Sequence, residues 1–210
     1  MAYSIPSDDH EHAIDTSGPL EYSTEENKLK ILGFWVFLGA EFVLFSCLFA
    51  TYIVLHGNTA GGPTSQQLYD VNGFMTETML LLVSSFTSGL AIHAMRNNQK
   101  NQMIVWWIIT MGLGAGFVGM EISEFVHYVS IGATISRSAF LSGFFTLVGT
   151  HGAHVTLGFF WMLSILIQII RKGITPITAR KAFVVSLYWH FLDVVWIFIF
   201  TVVYLTGKVV

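Results

Sequence analysis

Five long apolar runs constrain this chain more than any other feature of its sequence. Each run is near or above the roughly 20 residues that an α-helix needs to cross a bilayer. Only 11% of the residues are charged, against about 25% in soluble domains. These observations exclude a soluble globular protein and predict an all-α integral membrane protein with five transmembrane helices in a bundle. The predicted spans are about 31–55, 74–95, 103–125, 139–170 and 182–205.

The basic residues between the runs predict the orientation of the chain in the membrane. Eight lysines and arginines fall on the side of the N-terminus, and two fall on the opposite side. Cytoplasmic loops carry the excess of basic residues, so we expect a cytoplasmic N-terminus and a C-terminus outside. The eight are Lys28, Lys30, Arg96, Lys100, Arg171, Lys172, Arg180 and Lys181, and the two are Arg137 and Lys208.

The beginning of the chain differs in character from the rest. Seven of the thirteen acidic residues lie within the first 30 positions, among several serines and threonines. We therefore predict a mobile, solvated acidic tail over residues 1–28. The five-helix membrane domain is predicted over residues 29–207.

Acidic side chains and histidines occur inside the apolar runs, where each is costly. A charge at the centre of a bilayer costs about 2.5–3.5 kcal/mol on insertion scales. These groups should therefore face protein, headgroups or trapped water, and Glu41, in the middle of the first run, is expected to be neutral. Glu77 also lies at this depth. The candidate site residues are Glu41, His93, Glu121, Glu124, His151, His154, His190 and Asp193.

The stretch GTHGAHVTLG places His151 and His154 three residues apart on one helical face. Such a pair can ligate a metal or haem, relay protons, or form hydrogen bonds between helices. A metal site needs three or four convergent ligands, and the Glu-x-x-His unit of di-iron bundles is absent. The pattern therefore favours hydrogen bonding, with Glu121 and the His190/Asp193 pair as the hypothetical partners. A metalloenzyme, and a free-standing proton channel that uses Glu41 and Asp193, stay open as alternatives.

Glycines in the third and fourth runs predict close contacts between helices. Small residues allow neighbouring membrane helices to approach at their backbones. The glycines concerned are Gly112, Gly116 and Gly119 in the third run and Gly149, Gly152 and Gly158 in the fourth.

Several of these stretches resemble one protein family. GTHGAHVTLG and YWHFLDVVWIFIF resemble the two strongest signatures of subunit III of haem–copper terminal oxidases. FLGAEFVLFSCLFATY resembles the first core helix of that family, with Glu41 at its intramembrane carboxylate. LGAGFVGMEISEF resembles the next motif, with Glu124 at the usual glutamate, and His93 falls on a family histidine. The resemblance extends from about Leu29 to Gly207.

Within the family, the resemblance points to one branch. FATYIVLHGNTAGGPT, GFVGMEISEF and HFLDVVWIFIFTVVYL look closest to the quinol oxidases of bacteria. The mitochondrial type of cytochrome c oxidase has seven helices in this subunit, and it usually has Gln where this chain has Glu121. Some bacterial cytochrome c oxidases also have a five-helix subunit III, so that assignment is the alternative.

The resemblance implies a role in aerobic respiration. The complex would oxidise quinol, reduce O2 to water and translocate protons across the bacterial cytoplasmic membrane. Its haems and copper would lie in subunit I, and this chain would hold no cofactor, no metal and no catalytic residue. The family's helices form a V-shaped cleft that holds phospholipid against subunit I. Subunit I is thus the expected direct partner, subunits II and IV complete the complex, and nucleic acid is not a partner.

Overall fold

The structure is a computed structural model, and it describes residues 18–61, 71–205 and 207. Within those residues, five helices are long and apolar enough to cross a membrane, which confirms the predicted number. The last helix continues into a π-helical turn, Phe200–Leu205. The helices are α1 Glu25–Leu55, α2 Val71–Arg96, α3 Lys100–Ser130, α4 Ala139–Lys172 and α5 Pro176–Ile199.

Polar residues set where three of the helices begin, outside the apolar runs. Thr24 caps α1 by accepting a hydrogen bond from the backbone N–H of Asn27, and Ser138 caps α4 in the same way. At the start of α5, Thr175 and Thr178 form a reciprocal capping box, with Pro176 at the first helical position. Such caps satisfy backbone N–H groups that have no partner inside the helix. Each helix therefore extends beyond its predicted apolar run at one end or both, with the π-helical turn counted as part of the last helix.

The bundle has a well-packed centre and one peripheral helix. Helix α3 packs along α2, α5 packs on α4 and α2, and α1 rests against α4 and α5. Only 17% of the apolar stretch of α1 is buried, against 56% in α2. The largest fully buried side chains include Trp107, Phe117, Trp189 and Trp196. Much of α1 is therefore left to face lipid or another protein.

Several glycines lie where helices meet, although not all of those predicted. A Cβ added at Gly158 would approach the Tyr188 ring to 3.0 Å, so this position requires a small residue. The prediction is wrong for Gly112 and Gly119, because no atom of the described part of the chain lies within 4 Å of a Cβ at either position. The close contact on α3 is made at Gly114, where a Cβ would lie 2.7 Å from the Trp189 ring. Two residues turn a helix by about 200°, so Gly114 faces α5 whereas Gly112 faces away.

The remaining predicted glycines make ordinary or tight contacts. A Cβ at Gly116 would lie 3.7 Å from Leu80, and one at Gly149 would lie 3.6 Å from the Phe125 ring. A Cβ at Gly152 would overlap the carboxyl group of Glu121.

Residues 18–28 differ from the solvated tail that the sequence predicted. Leu20–Tyr22 form a short 3₁₀ turn in which Glu21 is fully buried. Its carboxylate accepts hydrogen bonds from Arg96 Nε (2.9 Å) and Nη2 (2.7 Å). The guanidinium compensates the buried charge, which is why an acidic segment lies against the bundle. Residues 1–17 lie outside the described residues, and the predicted mobility of that part stays a prediction.

Candidate functional site

The polar residues of the helices occupy three separate places rather than one site. The Glu41–His154 pair joins α1 to α4. The Ser85 groove, formed by Ser85, His190 and Asp193, lies between α2 and α5. The glutamate cluster, formed by Glu77, Glu121 and Glu124, lies between α2 and α3.

His151 is held by the backbone of α5. Its fully buried Nε2–H donates to the carbonyl oxygen of Leu192 at 3.1 Å. The ring lies among aromatic side chains, with centroid distances of 5.9 Å to Phe117 and 5.2 Å to Trp196. Its Nδ1 has no hydrogen-bond partner among the described residues. His151 thus forms the expected hydrogen bond between helices. Its partner is the backbone carbonyl group of Leu192 rather than Glu121 or the His190/Asp193 pair.

His154 turns away from His151 and reaches α1. Its Nδ1–H donates to the Thr150 carbonyl oxygen at 2.7 Å, and its Nε2 lies 3.2 Å from Oε2 of Glu41. A neutral ring with its proton on Nδ1 can accept a hydrogen bond at Nε2 from a protonated carboxyl, whereas a charged ring would pair with a carboxylate. The structure thus joins Glu41 to His154, a pairing that spacing along the chain could not predict.

His190 and Asp193 are connected through a serine of α2. The Ser85 hydroxyl lies 2.6 Å from His190 Nδ1, and the Ser186 hydroxyl lies 3.5 Å from Nε2. Ser85 also interacts with the Asp193 carboxyl. Ser85 is therefore the side chain that lies between the His190 imidazole and the Asp193 carboxyl. These groups open into a groove of about 290 Å³ that is otherwise lined by Leu82, Phe86, Gly89 and Leu90.

Sequence reasoning missed a row of hydroxyl groups along α2. Ser88 Oγ lies 2.8 Å from Ser186 Oγ, and Thr87 Oγ1 lies 2.8 Å from Thr110 Oγ1. Ser84 accepts a hydrogen bond from the Trp189 indole N–H at 2.9 Å. The signal was the stretch VSSFTSG, in which hydroxyl side chains recur inside an apolar run. These bonds fasten α2 to α3 and α5.

The glutamate cluster contains two of the predicted candidates and one residue that sequence reasoning did not assign to a site. Glu121 and Glu77 are both buried. Glu124 accepts hydrogen bonds from the hydroxyl groups of Tyr128 and Tyr204. Glu77 lies in the apolar stretch FMTETMLLL. A glutamate in such a stretch is the sequence pattern that could have identified Glu77 as a candidate site residue.

His93 stands apart from these groups. It lies at the exposed end of α2, where its Nε2 accepts a hydrogen bond from the side-chain amide of Asn97 at 3.0 Å.

The geometry limits what these residues can bind. In the part of the chain that the structure describes, no three His, Cys, Asp or Glu side chains come together in a way that could hold a metal ion. The Nε2 atom of His151 is already engaged with Leu192, and Nε2 of His154 faces Glu41. The arrangement supplies hydrogen bonds and exchangeable protons.

An apolar groove runs along the outer side of the bundle between α1 and α5. We name it the α1–α5 groove; it encloses about 400 Å³. A second cavity of about 420 Å³ shares Phe42, Phe191 and Val194 with it and reaches Trp35 and Gly39. The groove is lined by Phe42, Phe45, Ser46, Phe49, Ala50, Ile53, Phe191, Val194, Val195, Phe198 and Val202.

Comparisons with known proteins agree with this architecture. Residues 22–208 match the family model described as cytochrome c oxidase subunit III. Quinol oxidase subunit 3 of Bacillus subtilis (strain 168) is 59% identical over 95% of this chain and 98% of its own length. The same subunit of Bacillus spizizenii is 58% identical over the same shares. Cytochrome c oxidase subunit 3 of Bacillus sp. (strain PS3) is 51% identical over 92% of this chain and 93% of its own length.

The five apolar helices and these extended matches lead to one conclusion. The chain belongs to the cytochrome c oxidase subunit III family.

Proposed function

We propose that this chain is subunit III of a quinol oxidase complex of the bacterial cytoplasmic membrane. The complex oxidises quinol, reduces O2 to water and translocates protons. The observation that carries the proposal is the 58–59% identity, over nearly the whole chain, to two proteins named quinol oxidase subunit 3.

A subunit of a bacterial cytochrome c oxidase is the second candidate. Cytochrome c oxidase subunit 3 of Bacillus subtilis is 52% identical over 90% of this chain. The lower identity favours the quinol-oxidising branch.

The electron donor separates these two candidates. The complex is purified through an affinity tag on this chain, and oxygen consumption is measured with a reduced quinol and with reduced cytochrome c. We expect oxygen consumption with quinol and none with cytochrome c alone. Turnover with cytochrome c but not with quinol would establish the alternative.

Within the complex, we assign this chain a supporting role without a redox centre of its own. The haems and copper belong to subunit I, which the peripheral helix α1 and its exposed apolar face are suited to contact. Nε2 of His151 faces the Leu192 carbonyl oxygen, and Nε2 of His154 faces Glu41. Subunits II and IV complete the assembly.

The α1–α5 groove corresponds in this proposal to the V-shaped lipid cleft of the family. Its lining is almost wholly apolar, which suits an acyl chain of a phospholipid. Ala50→Trp would fill the groove, and we expect the purified complex to retain less phospholipid by phosphorus analysis. Val105→Trp, on an exposed part of α3, is the matched control. Equal phospholipid in both variants would place the lipid elsewhere.

A further inference from the structure

We propose that the glutamate cluster is a proton-binding site, in which Glu77 and Glu121 each hold a proton and Glu124 carries the negative charge. This inference rests on the contacts of the cluster and does not depend on the electron donor of the complex. The reaction is the reversible protonation of a carboxylate by hydronium, which gives a carboxylic acid and water.

Glu77 and Glu121 are deeply buried between the helices. The two residues are only 2% and 4% exposed. Glu77 Oε2 and Glu121 Oε1 have no hydrogen-bond partner among the described residues. Among the described residues, neither carboxyl group has a cationic partner, and a neutral acid is strongly preferred over a buried carboxylate in such surroundings.

Glu124 lies in a different environment from the other two glutamates. Its two oxygens accept hydrogen bonds from Tyr128 and Tyr204 respectively. A phenolic hydroxyl group that donates to a carboxylate stabilises its charge. Glu124 is also only partly buried, so it is the member of the cluster closest to the surface. The single charge therefore belongs on Glu124.

The other groups near the cluster also disfavour more than one negative charge. Glu77 lies within electrostatic range of both Glu121 and Glu124, so three charges would repel each other. Helix α4 contributes Gly152 against Glu121, preceded by the buried His151. The Nε2–H of His151 donates to the Leu192 carbonyl oxygen, and its Nδ1 has no hydrogen-bond partner among the described residues.

The basic side chain of the neighbouring connection is hydrogen-bonded outside the cluster. In the described stretch between α3 and α4, the guanidinium of Arg137 donates to the carbonyl oxygen of Gly132 at 3.3 Å.

Infrared spectroscopy of the full-length chain in lipid bilayers at pH 7 tests the proposal. Protonated carboxylic acids have a C=O stretching band that is separate from the bands of carboxylates and amides. We expect Glu77→Gln and Glu121→Gln each to remove one component of this band. Glu124→Gln should leave the acid band and remove a carboxylate component. The exposed Glu25→Gln is the control and should also leave the acid band unchanged.

The proposal is overturned if either Glu77→Gln or Glu121→Gln folds and leaves the acid band intact.

A second measurement applies if these variants fail to fold. The chain has eight glutamates, and labelling them with ¹³C allows solid-state NMR to count acids and carboxylates. In a Glu41→Gln background, we expect two of the remaining glutamates as acids at pH 7. Fewer than two would contradict the proposal.

Discussion

At the scale of single residues, the contact between Gly152 and Glu121 makes a direct prediction. Gly152→Ala would place a methyl group where the buried carboxyl group of Glu121 lies, so this carboxyl group would have to shift. Overpacking of this kind costs about 1–3 kcal/mol, so we expect a lower midpoint of thermal unfolding in detergent. Gly112→Ala is the control, because the added Cβ has no neighbour within 4 Å among the residues that the structure describes. Similar midpoints for the two variants would show that Glu121 does not pack there.

The Glu41–His154 pair gives a second prediction at this scale. The Nδ1–H of His154 is engaged with Thr150, so Nε2 is the ring nitrogen that can act as an acceptor, and it lies 3.2 Å from Oε2 of Glu41. A glutamine side chain can donate to the same nitrogen, and we expect Glu41→Gln to leave assembly of the complex intact. Glu41→Ala removes the donor and should weaken assembly, since a buried unpaired group costs about 1–3 kcal/mol. Assembly is measured as the yield of intact complex, and failure of Glu41→Gln would indicate an ion pair instead.

The sequence predicted which residues are polar at membrane depth but not which residues they contact. Helical spacing placed His151 and His154 on one face, yet their rings reach α5 and α1 respectively. The partner of His151 is a backbone carbonyl, which no side-chain pattern can indicate. The partner of His190 is Ser85, more than a hundred positions earlier. Such pairings depend on how the helices are rotated and ordered in the bundle.

At the scale of elements, the ion pair between Glu21 and Arg96 predicts how the N-terminal segment is held against the bundle. Arg96→Ala would leave the fully buried Glu21 carboxylate without its guanidinium. We expect a loss of about 1–3 kcal/mol, seen as a lower unfolding midpoint, together with faster proteolysis near residues 18–24. Lys30→Ala is the control, because its ion pair with Glu26 is exposed and contributes little. Equal effects of both substitutions would mean that the segment is not held by Arg96.

The helices themselves were largely predictable. Apolar runs of membrane-spanning length gave all five, because a lipid bilayer permits few alternatives to a helix. Their ends were less predictable. The amphipathic first turn of α1 carries Glu25, Glu26 and Lys28, and these residues looked like part of a solvated tail. The side chain of Asn27 nevertheless donates to the Pro176 carbonyl oxygen at 3.2 Å, a contact between distant parts of the chain.

At the scale of the whole molecule, the distribution of basic residues predicts the orientation in the membrane. We expect Asn97→Cys, between α2 and α3, to be labelled from the cytoplasmic side by an impermeant maleimide. Ser136→Cys, between α3 and α4, should be labelled from the outside. Both substitutions are made in a Cys47→Ser background, which removes the single native cysteine. The reverse labelling pattern would refute a cytoplasmic N-terminus.

The central claim is that this chain supports an oxidase without holding its redox centre. The most direct measurement is the location of haem after the complex is isolated through a tag on this chain and then dissociated. We predict that the intact complex shows haem absorption, that the haem stays with the large subunit, and that this chain alone has no Soret band. A Soret band that stays with this chain, or a tagged preparation without haem, would contradict the account.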